Sequence, residues 1–236
     1  MNKHFFLSIL MAALFAVAFT SCDKENVGEY LVSGTISGEH ASWEKISASF
    51  DSGDTWASTT KISKEKFKLK LPAPQTDHIL PIGYASGFLP DSLKISDLSA
   101  KTAFVSFFAR NEDQTAELTL MNYSYSITGV SMTMVEYMYV DKNVNISGSY
   151  EIKEVVGAIE ASMKMLFDLK LKEGWNIVVS NTKISMAGNV AVSVTTGEVP
   201  SGLTWSASTL FMKAPSAKGV FRGIDPMAVE RLLNSK

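Results

Sequence analysis

Along most of the chain apolar side chains recur at every second position. Phe67, Leu69 and Leu71 alternate with Lys66, Lys68 and Lys70, and Met163, Met165, Phe167, Leu169 and Leu171 keep the same period. Helical spacing would scatter those side chains around an axis, whereas a strand lines them up on one face. The same pattern predicts strands at 30–37, 44–51, 55–62, 115–126, 131–140, 144–149, 175–179, 183–195 and 203–212. In 44–51 it turns Ile46, Ala48 and Phe50 inward and leaves Lys45, Ser47 and Ser49 to water. The run 103–109 is too continuously apolar for a wet face and reads as a strand buried on both sides. Asp51-Ser52-Gly53-Asp54, Asp141-Lys142-Asn143 and Lys172-Glu173-Gly174 are turns between such runs, and Pro72 and Pro74 end the strand before them. The stretch 75–98 is the least regular. Near Ile127-Thr128-Gly129 the strand pattern restarts, so the expected fold is mainly β, with two antiparallel β-sandwich lobes at 30–126 and 127–214. A tail, 215–236, follows with one short C-terminal helix. Asp225 caps it, Pro226 takes its first position, and Val229, Leu232 and Leu233 form one stripe opposite Glu230 and Arg231.

The first residues follow a different pattern. Lys3 precedes an apolar run from Phe5 to Phe19 that only Ser8 interrupts. A run of about 15 residues is shorter than the roughly 20 needed to span a bilayer, and it ends in small or polar residues, the form of a cleaved secretory signal over 1–21. Residues 22–29 then read as a tether. Cys22 is the single cysteine of the 236 residues, so no disulfide forms within the chain. Phe19-Thr20-Ser21-Cys22 resembles a bacterial lipobox, which implies that Cys22 carries lipid and becomes the first residue of the mature chain. With Phe19 in the usual leucine position and Asp23-Lys24-Glu25-Asn26 behind it, the segment is similar to those of Bacteroidetes-type lipoproteins. That resemblance implies lipid anchoring to the outer membrane, facing the cell surface or the periplasm. Two or three acyl chains, at about 0.8 kcal/mol per buried methylene, hold a protein on a bilayer stably.

Charge narrows the partners. The 22 Lys+Arg lose Lys3 with the signal, leaving 21 against 24 Asp+Glu, a net charge of −3. Nucleic acid is excluded as a partner at that balance, because Lys64, Lys66, Lys68 and Lys70 are the wet face of a half-buried strand and not a basic patch. His40 and His78 fall in separate irregular stretches with no further metal ligand at a recognisable spacing, and no G-x-S-x-G elbow is present. No cofactor signature appears. A glycosidase draws its carboxylates from distant strands, so an acidic pair stays open, although Asp51, Asp54, Glu112 and Asp113 read as turn residues. Trp43 and Trp56 stand beside turns and are the candidates for stacking a sugar ring, core packing being the other use of a tryptophan.

Val32-Ser-Gly-Thr-Ile-Ser-Gly38 and Lys66-Phe-Lys-Leu-Lys-Leu-Pro72 resemble the opening of transthyretin-like (prealbumin-like) β-sandwiches, with Glu65 where glycine is usual. Tyr139-Val-Asp-Lys-Asn-Val-Asn-Ile-Ser-Gly148 and Phe167-Asp-Leu-Lys-Leu-Lys-Glu-Gly-Trp-Asn176 look like segments of Bacteroidetes-type lipoproteins. The resemblance implies transthyretin- or Ig-like lobes and a non-catalytic, lipid-anchored binding module for a glycan or an envelope protein. The alternative is a subunit or accessory of a fimbria-like surface fibre, whose subunits look similar, and a third is a carboxylate-dependent envelope hydrolase. Asp91-Ser92-Leu93 is similar to the Asp-(Ser/Thr)-aliphatic sequence at which Bacteroidetes-type cells O-glycosylate exported proteins, which marks Ser92 as a modification site.

Overall fold

The computed structural model describes residues 29–37, 43–82, 92–156 and 159–207. The predicted signal, Cys22, His40, Asp91 and the C-terminal helix lie outside them. The described chain is mainly β. Its strands are β1 (Glu29–Ser37), β2 (Lys45–Ser49), β3 (Ser58–Lys61), β4 (Lys66–Pro72), β5 (Leu80–Pro81), β6 (Lys94–Ile95), β7 (Lys101–Phe104) and β8 (Ser106–Arg110). They continue with β9 (Thr115–Ser126), β10 (Gly129–Val140), β11 (Val144–Val156), β12 (Ile159–Leu171), β13 (Gly174–Ser185), β14 (Val190–Thr196) and β15 (Thr204–Ala207). A 3-10 turn, Thr76–His78, lies between β4 and β5. All the strands hydrogen-bond into one open sheet ordered β3-β2-β8-β9-β10-β13-β14-β12-β11-β6, with β1, β4, β5, β7 and β15 attached beside that path. It is mixed, because β15 runs parallel to β1 and β14 parallel to β12.

Alternation explains the cleanest strands. In β4, Phe67, Leu69 and Leu71 are buried and Lys66, Lys68 and Lys70 exposed, and β1 lies antiparallel with Val32 opposite Leu69 and Gly34 opposite Phe67. On β12, Phe167, Leu169 and Leu171 are likewise buried, while Lys164, Asp168 and Lys170 face water. Three local expectations change. Ser47 and Ser49 are fully buried rather than solvated, because the following turn folds over Ser49, while Ser47 Oγ meets the Thr59 hydroxyl at 2.9 Å and the Arg110 guanidinium at 3.4 Å. The run 103–109 is split at Val105 into β7, which pairs with β10, and β8, which pairs with β9. The run 183–195 contains a turn whose Gly188 sits at φ +82°, so Lys183–Ser185 ends β13 and Val190 begins β14.

β10 and β13 form the centre, paired over twelve residues from Gly129↔Ser185 to Val140↔Gly174. Since strand side chains alternate, this ribbon presents a different face to each of two apolar clusters. Val135, Tyr137 and Val179 join Val32, Ile46, Phe67, Leu69, Phe107, Leu120 and Trp205 on one side. Met138, Val140 and Val178 join Ile146, Phe167, Leu169, Val192 and Val194 on the other. The parts of the chain before and after residue 127 supply both clusters. β15 returns to pair with β1 and β9, and Ile82 and Ala100 pack among β11, β12 and β14 side chains.

Candidate functional site

The β2–β3 hairpin carries both tryptophans singled out above. Its register sets Lys45 opposite Lys61 and Ala48 opposite Ser58. Trp43 precedes β2, where the Ile62 amide donates to the Glu44 carbonyl at 2.8 Å and the Glu44 amide to the Arg110 carbonyl at 2.9 Å. These bonds fix the backbone on which the half-buried Trp43 ring rests against the first apolar cluster. Beside it is an open cleft of about 450 Å³ lined by Trp43, Glu44, Lys45, Lys61 and Ile62. A lining of one indole, two lysines, one glutamate and one isoleucine suits a polar ligand with an apolar face. Aromatic and cationic side chains together give both stacking area and hydrogen-bond donors.

Trp56 enters from the other end of the hairpin and is not part of this cleft. Phe108 meets it edge-on at 5.4 Å and 67°, and the Arg110 guanidinium lies 4.3 Å from the centre of its ring. Arg110 Nη1 also donates to Ser47 Oγ at 3.4 Å. The guanidinium therefore occupies a face of the indole that a pyranose ring would need, and the ring serves as a lid over the hairpin. The turn before it is held by Asp51, which accepts from the Thr55 amide at 2.9 Å, the Thr55 hydroxyl at 2.6 Å and the Ser49 hydroxyl at 2.6 Å. Desolvation works to raise the pKa of this carboxyl, but the bonds from Ser49 and Thr55 outweigh it and hold it well below the usual carboxylate range. Glu112 and Asp113 sit in the β8–β9 turn, where Asn111 Oδ1 accepts the Asp113 and Gln114 amides at 3.0 and 2.7 Å.

A second aromatic group assembles where the sequence pattern gave no sign of one. Tyr139 and Trp175 are cross-strand partners on β10 and β13, with ring centres 5.6 Å apart. Phe50 stacks on Trp175 at 6.0 Å and 15°, and His78 lies 5.5 Å beyond Phe50. The four rings are half-buried, and Trp175 Nε1 is buried without a hydrogen-bond partner. Burial first, then the charges of Glu173 and Asp141, raise the Tyr139 pKa. Each ring comes from a different element, so only non-local pairing unites them. His78 Nε2 stands 3.9 Å from Asp77 Oδ1, and among the described residues no three His, Cys, Asp or Glu side chains converge as metal ligands.

Ser92 is exposed in the turn before β6. Its carbonyl lies 2.5 Å from where a Cβ on Gly148 would stand, and Gly148 has φ +133°, so this turn packs backbone to backbone on β11. Among the described residues no helix is long and apolar enough to cross a membrane. No protein-family model matches the chain, and neither a curated protein nor a solved structure does.

Proposed function

We propose that the chain is a non-catalytic binding protein of the bacterial envelope, lipid-anchored through Cys22 to the outer membrane, that takes a glycan at the Trp43 cleft. The observation that carries this reading is the cleft itself. Trp43 offers an indole flank, and Lys45 and Lys61, cross-strand partners that line the same cleft, supply ammonium donors for hydroxyl or carboxylate oxygens. The two apolar clusters on opposite faces of β10 and β13 support a mainly β body with two cores. The N-terminal resemblance to lipoproteins supports the anchor and an outward-facing placement.

The test is binding of labelled envelope and host-surface oligosaccharides to the purified protein, with Trp43→Ala alongside. Truncation of a central aromatic contact costs about 2 kcal/mol or more, so the variant should bind at least about thirtyfold more weakly. Equal affinity in the variant would remove the cleft as the site, and absence of any oligosaccharide binding would remove the glycan reading.

A second reading, an envelope-protein partner or fibre neighbour, is favoured by one strand edge. β11 pairs along its whole length with β12, but on its other side β6 covers only Ile146 and Ser147. No described strand covers Ser149 to Ile152 there, and an extended partner segment can add to such an edge. Concentration-dependent polymerisation of the purified chain is the outcome that distinguishes the fibre.

A further inference from the structure

The outer edge of β11 carries a sequence that matches itself. β12 pairs with β11 without a break from Val144↔Leu171 to Val156↔Ile159. On the other side the Ser96 amide donates to the Asn145 carbonyl at 2.9 Å and the Asn145 amide to Ser96 Oγ at 2.9 Å, so both backbone groups of Asn145 point away from β12. Along an unbroken ladder that direction recurs at every second residue, at Ser147, Ser149, Glu151, Lys153 and Val155. β6 takes up Ile146 and Ser147, and among the described residues no strand continues beside Gly148 to Val156. Ser149, Glu151, Ile152 and Lys153 are exposed, Ile152 at 42%. Outward N–H and C=O groups in a row are a template for another strand.

Register selects the occupant. When two copies of one strand pair antiparallel about a two-fold axis, outward-pointing residues face each other only if the axis passes through a residue position. The stretch Gly148 to Val156 has Ile152 at its middle, so an axis there uses the whole open edge of both copies. Glu151 then stands opposite Lys153 of the second copy, and Lys153 opposite its Glu151. Within one chain Lys153 Nζ already lies 4.0 Å from Glu151 Oε1, so the four charges alternate in sign on one face. Lys164, the β12 partner of Glu151, extends that alternation. On the other face Ile152 meets its own copy, with Met163 behind each. Moving the axis by one residue either way sets Glu151 against Glu151 or Lys153 against Lys153, and like charges directly opposite are destabilising. We infer that β11 pairs with β11 of a second copy about Ile152, giving a closed two-fold dimer with a continuous sheet. This rests on the reading of the edge as a pairing surface and gives it one partner.

The full chain, produced in its own cell, would carry Ile152→Cys, with Ser149→Cys and the unsubstituted chain, which holds Cys22 alone, alongside. Ile152 and its copy form a pair without hydrogen bonds, about 4.5 Å apart at Cα, inside the range of about 4.4–6.8 Å that a disulfide spans. Ser149 and its copy stand about 20 Å apart, too far for one. Oxidation of intact cells with copper phenanthroline should link Ile152→Cys chains through position 152, as mass spectrometry of the joined peptides would show, and leave Ser149→Cys chains unlinked. Adding Glu151→Lys to Ile152→Cys should cut the yield at least about fivefold, and adding Lys153→Glu to both should restore it. The last chain keeps its new lysine beside Lys164, so recovery reports pairing between copies. No linkage through position 152, equal linkage from Ser149→Cys, or a yield indifferent to the charge changes would overturn the proposal. Linkage of Ile152→Cys to a different envelope protein would overturn the dimer and leave the edge as a pairing surface, whereas linkage to nothing would remove both.

Discussion

Gly34 and Trp205 give the most demanding test of the packing. Gly34 lies in β1, and the Trp205 indole of β15 rests directly on it, so a Cβ at position 34 would overlap indole Cδ1 and Nε1. The ring cannot simply swing away. Phe107 is 4.8 Å from it, Phe67 5.5 Å and Tyr137 6.3 Å, and Trp205 is only 2% exposed. Gly34→Ala should therefore cost about 1–3 kcal/mol of overpacking. Trp205→Ala should cost about 3–5 kcal/mol for the lost contacts and the cavity, from a total that is ordinarily 5–15 kcal/mol. With the indole gone the overlap vanishes and only the preference of a strand for alanine over glycine remains, about 0.5–1 kcal/mol in favour of the substituted chain. The two changes should thus be non-additive by about 1.5–4 kcal/mol, the double variant being no less stable than Trp205→Ala alone. Urea unfolding followed by far-UV circular dichroism measures this without relying on the fluorescence of the residue removed. If Gly34→Ala costs the same in both backgrounds, close approach of the indole is not why glycine stands there.

Other perturbations reach separate parts of the fold. Thr182 Oγ1 is buried without a hydrogen-bond partner, so Thr182→Val should stabilise by about 1 kcal/mol and raise Tm by about 2–4 °C; a lower Tm in calorimetry would mean that the hydroxyl holds a buried water. The Asp51 carboxyl has its pKa depressed in the fold, so what it adds to stability is present above its unfolded pKa of about 3.9 and is lost as the pH falls below that. The stability gap between wild type and Asp51→Asn should then narrow progressively below about pH 4, and a gap constant from pH 7 to 3 would refute the role given to its hydrogen bonds. Arg110→Ala should uncover Trp56 and Ser47, raising the yield of Trp56 oxidation by ozone relative to wild type; unchanged oxidation would show that the guanidinium does not shield the ring.

Much of the local structure was legible because period two is a local property. Phe67 to Leu71 and Met163 to Leu171 announce strands and even their buried faces, and Asp141-Lys142-Asn143 and Lys172-Glu173-Gly174 mark turns that the chain does make. Nothing local announces that Phe167 pairs in parallel with Val194, or that Ile36 pairs with Trp205, because such partners are chosen by packing across the whole sheet. Ser47 and Ser49 misled for a related reason: a serine on the second face of a strand looks solvated until a distant arginine or the following turn closes over it. The candidate site divides in the same way. Trp43 beside a turn was readable and does flank a cleft, whereas the grouping of Phe50, His78, Tyr139 and Trp175 depends on four elements meeting.

The short strand β15 has a consequence for the order in which the molecule can form. It bridges β1 and β9, and Ser37 Oγ donates to Thr204 Oγ1 at 3.1 Å across 167 residues of sequence. Trp205, at the centre of the first apolar cluster, arrives on that strand. As the chain emerges N-terminus first, β1, β4 and β9 are complete long before the side chain that fills their shared interior. Non-local closure of this kind slows folding, since the entropy of a long loop is lost before the contacts that reward it exist. Phe67 and Phe107 must therefore wait, incompletely covered, until Trp205 has been delivered. A chain released early, or stalled before Thr204, would retain the hairpins but not the closed core.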